Sequence, residues 1–184
     1  ALRSATTIQE VRPDDVVIQC TGGRPGTRSY EVAPGAIVLD VVDVHRGTPL
    51  PDGPIALFDP IGGPIAVALA ETLGSRAILI TQDQIAGNEL SRTGDLAPAN
   101  VRLQQQGAQI ERRSLLRAVR AGEVELEDRF SGERRTVDCA ALVDCGFRLP
   151  TDPIPAATAQ AGDCVAPRTI HEAVLEARRA ALSV

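Results

Sequence analysis

The chain has 184 residues, a net charge of −5, 43% apolar residues, no Trp, one Tyr and three Phe. That length buries one good core or two small ones, and with so few rings neither core nor site rests on aromatic stacking. No basic cluster points to nucleic acid, no apolar stretch is long enough to span a bilayer, and no charged-then-apolar leader marks a signal peptide.

Residues 1–13 carry little pattern. DVVIQC (15–20) reads as a short buried strand that runs into Gly22-Gly23. RPGTRSYEVAPG (24–35) is a loop by composition, and AIVLDVVDVHRG (36–47) begins as another β-branched strand. TPLPDGP (48–54) reads as a Pro/Gly linker. IALFD (55–59) is then a strand, Gly62-Gly63 a turn, and Pro64 to Leu73 a helix, with Pro64 in the first turn where its missing N–H costs nothing. RAILIT (76–81) is the next strand, so the three form a βαβ unit. DLAPANVRLQQQG (95–107) is a second helix closed by Gly107. From 108 to 146 short alternating runs broken by Ala-Gly and Ser-Gly predict an antiparallel meander, finishing in the apolar strand ALVDCG. FRLPTDPIPAATAQ is a Pro-rich connection. Thr169 and Glu172 then have capping-box spacing, with Ile170, Ala173, Val174, Ala177, Ala180 and Ala181 on one helical face.

Two places carry candidate chemistry. In FDPIGGPIAVALAE (58–71) a strand delivers a Gly-rich turn to a helix N-terminus, which offers free N–H groups and a partial positive charge suited to a pyrophosphate. Gly63 falls at the second glycine of a dinucleotide fingerprint and Ala66 at the third, where alanine is accepted. Ile61 stands at the first, and Asp59 brings a negative charge beside any phosphate. The ribose reader belongs at the end of the next strand, where Thr81 stands instead of a carboxylate, so NAD and NADP are not distinguished. A nucleotide turn and a plain βα turn both satisfy this stretch. The second place combines VVIQCTGG with AGDCVAPRT. Thr21, Gly22 and Gly23 let backbone pass close to a ligand, and Gly162 and Asp163 precede the helix that starts at Thr169, where a carboxylate can accept from a sugar hydroxyl.

The cysteines are Cys20, Cys139, Cys145 and Cys164, with no C-x-x-C among them, so zinc and iron–sulfur spacings fail and no metal site is expected. Cys139 and Cys145 lie in VDCAALVDC and read as small buried hydrophobes. All four are expected as free and mostly inaccessible thiols, as a reducing cytoplasm allows. His45 and His171 have no nucleophile partner, and no catalytic set appears.

Together these segments resemble the C-terminal part of the trimethylamine dehydrogenase and 2,4-dienoyl-CoA reductase family, the NADH:flavin oxidoreductases related to Old Yellow Enzyme. VVIQCTGGRP is similar to that family's crossover strand, DVVDVHRG to its return strand, FDPIGGPIAVALAE to its divergent second nucleotide turn, and AGDCVAPRTIHEAVLEARRAA to its closing flavin motif and last helix. TQDQIAGNELSRTGDLAPANVRLQQQGAQI resembles the mycofactocin-linked branch.

The resemblance covers nearly the whole chain and implies an α/β fold. Residues 54–145 would be an inserted NAD(P)-type Rossmann-like domain bearing the meander. It would be nested in an incomplete FAD-type α/β domain made of 1–53 and 146–184. It implies FAD or ADP and NAD(P)H as cofactors. It also implies an N-terminal barrel, absent here, that carries FMN, an iron–sulfur cluster and the substrate site, and a flavin phosphate loop upstream of residue 1. With no Met, the chain is expected to be a mature product or an excised piece. The expected partners are the nucleotide and the barrel, without nucleic acid or membrane and with a homo-oligomer left open. Three readings follow: the nucleotide-binding part of a flavin oxidoreductase, inactive alone; a module that holds an ADP-type nucleotide without hydride transfer; and a docking domain.

Overall fold

A computed structural model describes residues 11–12 and 14–183, so most of the patternless segment 1–13 lies outside the described residues. In chain order the elements are β1 (Ile18–Gln19), β2 (Arg24–Pro25), β3 (Glu31–Val32), β4 (Val38–Asp40), α1 (Val41–His45), β5 (Ile55–Asp59), α2 (Pro64–Leu73), β6 (Ala77–Thr81) and α3 (Leu96–Gln105). They continue with β7 (Gln109–Glu111), β8 (Ser114–Arg120), β9 (Glu123–Asp128), β10 (Arg134–Asp138), β11 (Ala141–Asp144), β12 (Arg148–Leu149), β13 (Ala159–Gln160) and α4 (Ile170–Ser183). Two compact units result, one of residues 27–147 and one of the segments up to 26 and from 148.

The 27–147 unit is built on a parallel sheet of order β4-β11-β5-β6-β7. Strands covered on both faces read as unbroken apolar runs, and IALFD and AILIT do so. Their two-residue period divides the core. Ile55, Leu57, Leu79 and Val143 pack with Ala66, Val67 and Ala70 of α2 and Leu103 of α3. Ala56, Ile78, Ile80 and Leu142 point the other way, onto Leu116, Val119, Val124 and Leu126 of a second sheet. That sheet is the expected antiparallel meander of β8, β9 and β10, extended by β3 running parallel to β8. Through the β3–β8 and β4–β11 pairings, residues 27–53 pack with 54–147.

Both expected helices of the βαβ region form. Pro64 opens α2. After α3, Gly107 takes φ +76°, and the N–H groups of Gly107 and Ala108 donate back to the carbonyls of Gln104 and Leu103, a Schellman closure that needs the left-handed residue. One expectation is corrected: the strand stops at Asp40, and VVDVH (41–45) is a helix. The Asp40 carboxylate accepts from the Val42 N–H at 2.8 Å, caps α1 and ends β4 after three residues.

The second unit has little regular sheet. β1 pairs in parallel with β13, and β2 pairs antiparallel with β12. The strand expected over 15–20 keeps ladder partners only at Ile18–Gln19. In α4 the expected apolar face is half overturned. Ala180 is buried and Ala173 and Ala177 are partly covered, but Ile170 and Val174 are 84% and 64% exposed, and Ala181 is exposed. No helix of the described residues is long and apolar enough to cross a membrane.

Candidate functional site

The parallel sheet brings the carboxyl ends of its strands to one edge, which is where open α/β sheets bind ligands. Asp59 ends β5, Thr81 ends β6 directly beside it in register, and Asp144 ends β11 next to Phe58. Gly62 and Gly63 follow from β5 into the N-terminus of α2, so the sequence-predicted residues Gly62, Gly63, Ala66 and Thr81 share this edge.

Each is held differently. Gly62 has φ +73°, and a Cβ there would stand 3.0 Å from Oδ2 of Asp83 and 3.2 Å from the Asn88 nitrogen. The segment after β6 is therefore laid over it, and the Glu89 N–H donates to the Gly62 carbonyl at 2.9 Å. Gly63 is the N-cap of α2 in an extended conformation (φ −97°, ψ −179°) and gives the helix no side-chain cap. A Cβ at Gly63 would meet only Cγ2 of Ile61, at 3.5 Å. Both glycines are buried. Ala66 is 1% exposed and serves close helix-to-sheet packing, the part the third fingerprint position plays. Thr81 is also 1% exposed, and its hydroxyl accepts from the Asp83 N–H at 3.2 Å.

Asp59 dominates the electrostatics. It is 1% exposed, and its Oδ1 accepts from the N–H of Gly62 at 2.8 Å and of Ile61 at 3.2 Å. Burial raises its carboxyl from 3.8 to about 6, against the pull of the backbone N–H groups of Gly62, Ile61 and Gly63 and with a further push from Asp83. Nearby, the Tyr30 hydroxyl donates to Oδ2 of Asp144 at 2.6 Å, and its ring meets Phe58 edge-on at 5.4 Å. Burial first, then that carboxylate, raises the Tyr30 pKa. The sequence gives no local sign of this pair, because 114 residues separate its members.

Beside the ends of β6 and β7 a cavity of about 570 Å³ is lined by Gln84, Ile85, Asn100, Gln104, Ile110 and Arg112, and does not reach Gly62 or Gly63. The Asn100 amide already donates to the carbonyls of Ala86 and Leu96.

The second predicted constellation lies in the other unit. Gly22 has φ +78° with open space where a Cβ would be, whereas a Cβ on Gly23 would stand 3.0 Å from the Leu149 carbonyl oxygen and from Cγ of Pro167. Gly23 thus serves close backbone packing, and Gly22 is the open one. The Thr21 hydroxyl meets Nε2 of Gln19 at 3.0 Å and Oγ1 of Thr151 at 3.3 Å. The Gly162 N–H donates to Oε2 of Glu176 at 2.9 Å. Asp163 is half-buried in a 3-10 turn (Gly162–Cys164) and, among the described residues, makes no hydrogen bond or ion pair, which leaves its carboxylate able to accept from a ligand hydroxyl. The Thr169 hydroxyl pairs with the Glu172 carboxylate ahead of α4. His171 is solvent-exposed.

Sequence reasoning missed Gln19. It is 3% exposed, donates to Thr21 and to the Asp152 carbonyl, and accepts from the Ile154 N–H and the Gln160 amide. A polar residue inside the apolar run VVIQC was the available signal. All four thiols are free; Cys139, Cys145 and Cys164 are buried, but Cys20 is exposed, because β1 ends at Gln19 and the chain leaves cover. Burial pushes the Cys139 thiol up to about 11, and Cys145 is raised by burial and then by the charge of Asp59.

No family model and no curated protein matches the sequence. Solved structures do. Histamine dehydrogenase from Rhizobium sp. 4-9 superposes with a TM-score of 0.82 and 22% identity, over 92% of this chain and 30% of that one. 2-Naphthoyl-CoA reductase gives 0.80 and 16%, over 92% and 27%. Thioredoxin reductase from T. acidophilum gives 0.65 and 13%, over 91% and 64%. The chain has the Rossmann-like α/β fold of these proteins and spans less than a third of the first two.

Proposed function

We propose that this chain is the nucleotide-binding portion of a larger NAD(P)H-dependent flavin oxidoreductase of the trimethylamine dehydrogenase and 2,4-dienoyl-CoA reductase family. The observation that carries the reading is the match to histamine dehydrogenase, which runs through both compact units, 92% of this chain, while using only 30% of that one. A remainder bearing FMN, an iron–sulfur cluster and the substrate site is the partner this implies. The segment 81–110 supports the finer assignment to the mycofactocin-linked branch.

In this reading FAD or ADP lies against the compact unit that carries Thr21 and Asp163. Thr21 and Gly22 give it open backbone, Gly23 and Gly162 fix the turns, Asp163 accepts from a sugar hydroxyl, and Thr169 opens α4. The pyridine nucleotide lies on the 54–145 domain, with Gly62 and Gly63 at its pyrophosphate, Ala66 seating the helix and Thr81 at the ribose end. The cofactors supply the hydride and electron chemistry when bound; the chain's residues hold and orient them. The chain alone is then inactive. Its free thiols suit a reducing, cytoplasmic setting.

The buried Asp59 favours a second reading, an ADP-binding or docking module that transfers no hydride. Titrating NADH, NADPH and ADP against the purified chain separates these: pyridine nucleotide binding lost in Gly63→Ala supports the first, ADP binding alone the second. Gly63 suits this test because its backbone angles and 3.5 Å clearance accept a Cβ. Lost affinity then reports a blocked approach to the backbone.

A further inference from the structure

Among the described side chains, one buried polar atom has no hydrogen-bond partner: Oδ2 of Asp59. Native proteins seldom leave such an atom, and each needs a reason. The carboxylate sits at the positive end of the ten-residue helix α2, whose N-cap Gly63 brings no side chain. Its other oxygen takes the N–H groups of Ile61 and Gly62. Those are the donors a phosphate uses in a βα nucleotide turn, so the protein's own anion holds the anion position.

The charged and titratable groups facing Asp59 are acidic as well. Asp83, from the segment after β6, raises its pKa. From the β11 side comes Cys145, on which Asp59, Asp144 and Asp40 all act. A second anion entering this turn meets ionised Asp59 in a low-dielectric setting, where like charges repel strongly.

We propose that the β5–α2 turn is a proton-gated pyrophosphate site, in which ionised Asp59 caps its own turn and shuts out a dinucleotide, and protonated Asp59 yields the turn to it. The proposal rests on the reading that a pyridine nucleotide uses Gly62 and Gly63. The step needs one proton from solvent, taken up on the orphaned Oδ2. The carboxyl becomes neutral, its charge-assisted bonds to the two N–H groups weaken, and the pyrophosphate accepts from them instead. The upward shift of the Asp59 carboxyl to about 6 puts the change within reach of ordinary pH. The neutral fraction then rises from roughly 3% at pH 7.5 to roughly 90% at pH 5, and apparent affinity follows that fraction, a gain of about 30-fold.

The test is an NMR titration with ADP-ribose, whose pyrophosphate diester does not titrate over this range, from pH 5 to pH 8, with affinity read at the Gly62 and Gly63 amide resonances so that ligand held near Thr21 and Asp163 is not counted. Wild type should bind about 30-fold more tightly at pH 5 than at pH 7.5. Asp59→Asn should bind at every pH as wild type does at pH 5. Measurable wild-type binding that is flat with pH, or a variant that keeps the dependence, overturns the gate and leaves the nucleotide reading standing. No binding at any pH by either protein overturns both. Should Asp59→Asn fail to fold, the Asp59 carboxyl carbon can be titrated by NMR in the wild type. Its midpoint should lie well above 3.8 and rise further with saturating ADP-ribose, since proton and ligand help each other by the same factor. An ordinary midpoint, or one the ligand leaves unmoved, overturns the proposal.

Discussion

The two compact units are held together by different physics. Residues 27–147 bury Ile55, Leu57, Leu79, Ile80, Leu103, Leu126, Leu142 and Val143 to near zero exposure, on both faces of one sheet. In the other unit the buried described residues are Gln19, Ala161, Cys164 and Ala180, all polar or small. There the cohesion is hydrogen bonding: Gln19 ties residue 21 to residues 152, 154 and 160, and the Cys164 thiol donates to the Gln19 carbonyl at 3.1 Å. Hydrophobic burial scales with apolar area, whereas a hydrogen bond made in place of one to water nets only about 1 kcal/mol. The first unit should therefore unfold as a cooperative block, and the second should open at lower free energy.

The largest effect belongs to the first unit. Leu57→Ala should cost about 2–5 kcal/mol in urea unfolding followed by circular dichroism, because the helices and two strands around the side chain cannot all collapse into the space it leaves. A cost below about 1 kcal/mol would mean that the helix side of the sheet is not the packed core.

Next comes the one charge buried in that unit without full satisfaction. The Asp59 pKa is raised in the fold to about 6 from 3.8, so the native state binds the proton more tightly than the unfolded chain does. Its contribution to stability is best at low pH and declines as pH rises from 3.8 through about 6. Above that range the ionised group costs roughly 3 kcal/mol. Asp59→Asn keeps an oxygen for the Gly62 N–H and removes the charge, so it should raise stability at pH 7.5 by about 1–3 kcal/mol and flatten this part of the pH profile. A variant less stable than wild type at pH 7.5 would show that the turn needs its anion.

Gln19→Ala is the matching test of the second unit. It leaves the Ile154 N–H and the Gln160 amide without their acceptor, at a cost of about 1–3 kcal/mol. Hydrogen exchange should quicken over residues 18–21 and 151–164 and stay unchanged in β5 and β6. Equal loss of protection in both regions would make the two units one cooperative block.

The same contrast explains what could be read in advance. In 55–145 each local signal agrees with the tertiary answer: the apolar runs become central strands, Pro64 opens a helix, Gly107 closes one, and the alternating stretch becomes the meander. Composition also placed Gly62-Gly63 at a helix N-terminus and flagged Asp59 as an obstacle there. What stayed hidden depends on cover from far along the chain. Nothing near Asp40 says that its carboxylate will cap α1 and end a β-branched run. The lid over Gly62 comes from Asn88 and Glu89, and the hydroxyl held by Asp144 from Tyr30. In the second unit the apolar period of the last helix named six inward positions, yet the structure covers Ala173, Ala177 and Ala180 among them and leaves Ile170, Val174 and Ala181 out. Period fixes which residues share a face; what lies opposite that face is a separate matter.

That failure supplies the smallest expected effect. Ile170 stands in the first turn of α4, 84% exposed, with Val174 at 64% on the next turn and Leu182 at 77% near the end. Sequence periodicity treats Ile170 and Leu57 alike, as apolar residues on an inward face. The structure separates them, because transfer free energy is gained only by area that leaves water. Ile170→Ser removes almost no buried area and sits beside, not within, the Thr169–Glu172 pairing of the unit's polar network. Its cost in the same urea titration should stay within about 0.5 kcal/mol, a tenth to a quarter of the Leu57→Ala loss. A loss above 1 kcal/mol would show that α4 buries this face in solution, and the contrast between the two units would narrow at the helix where sequence and structure disagree.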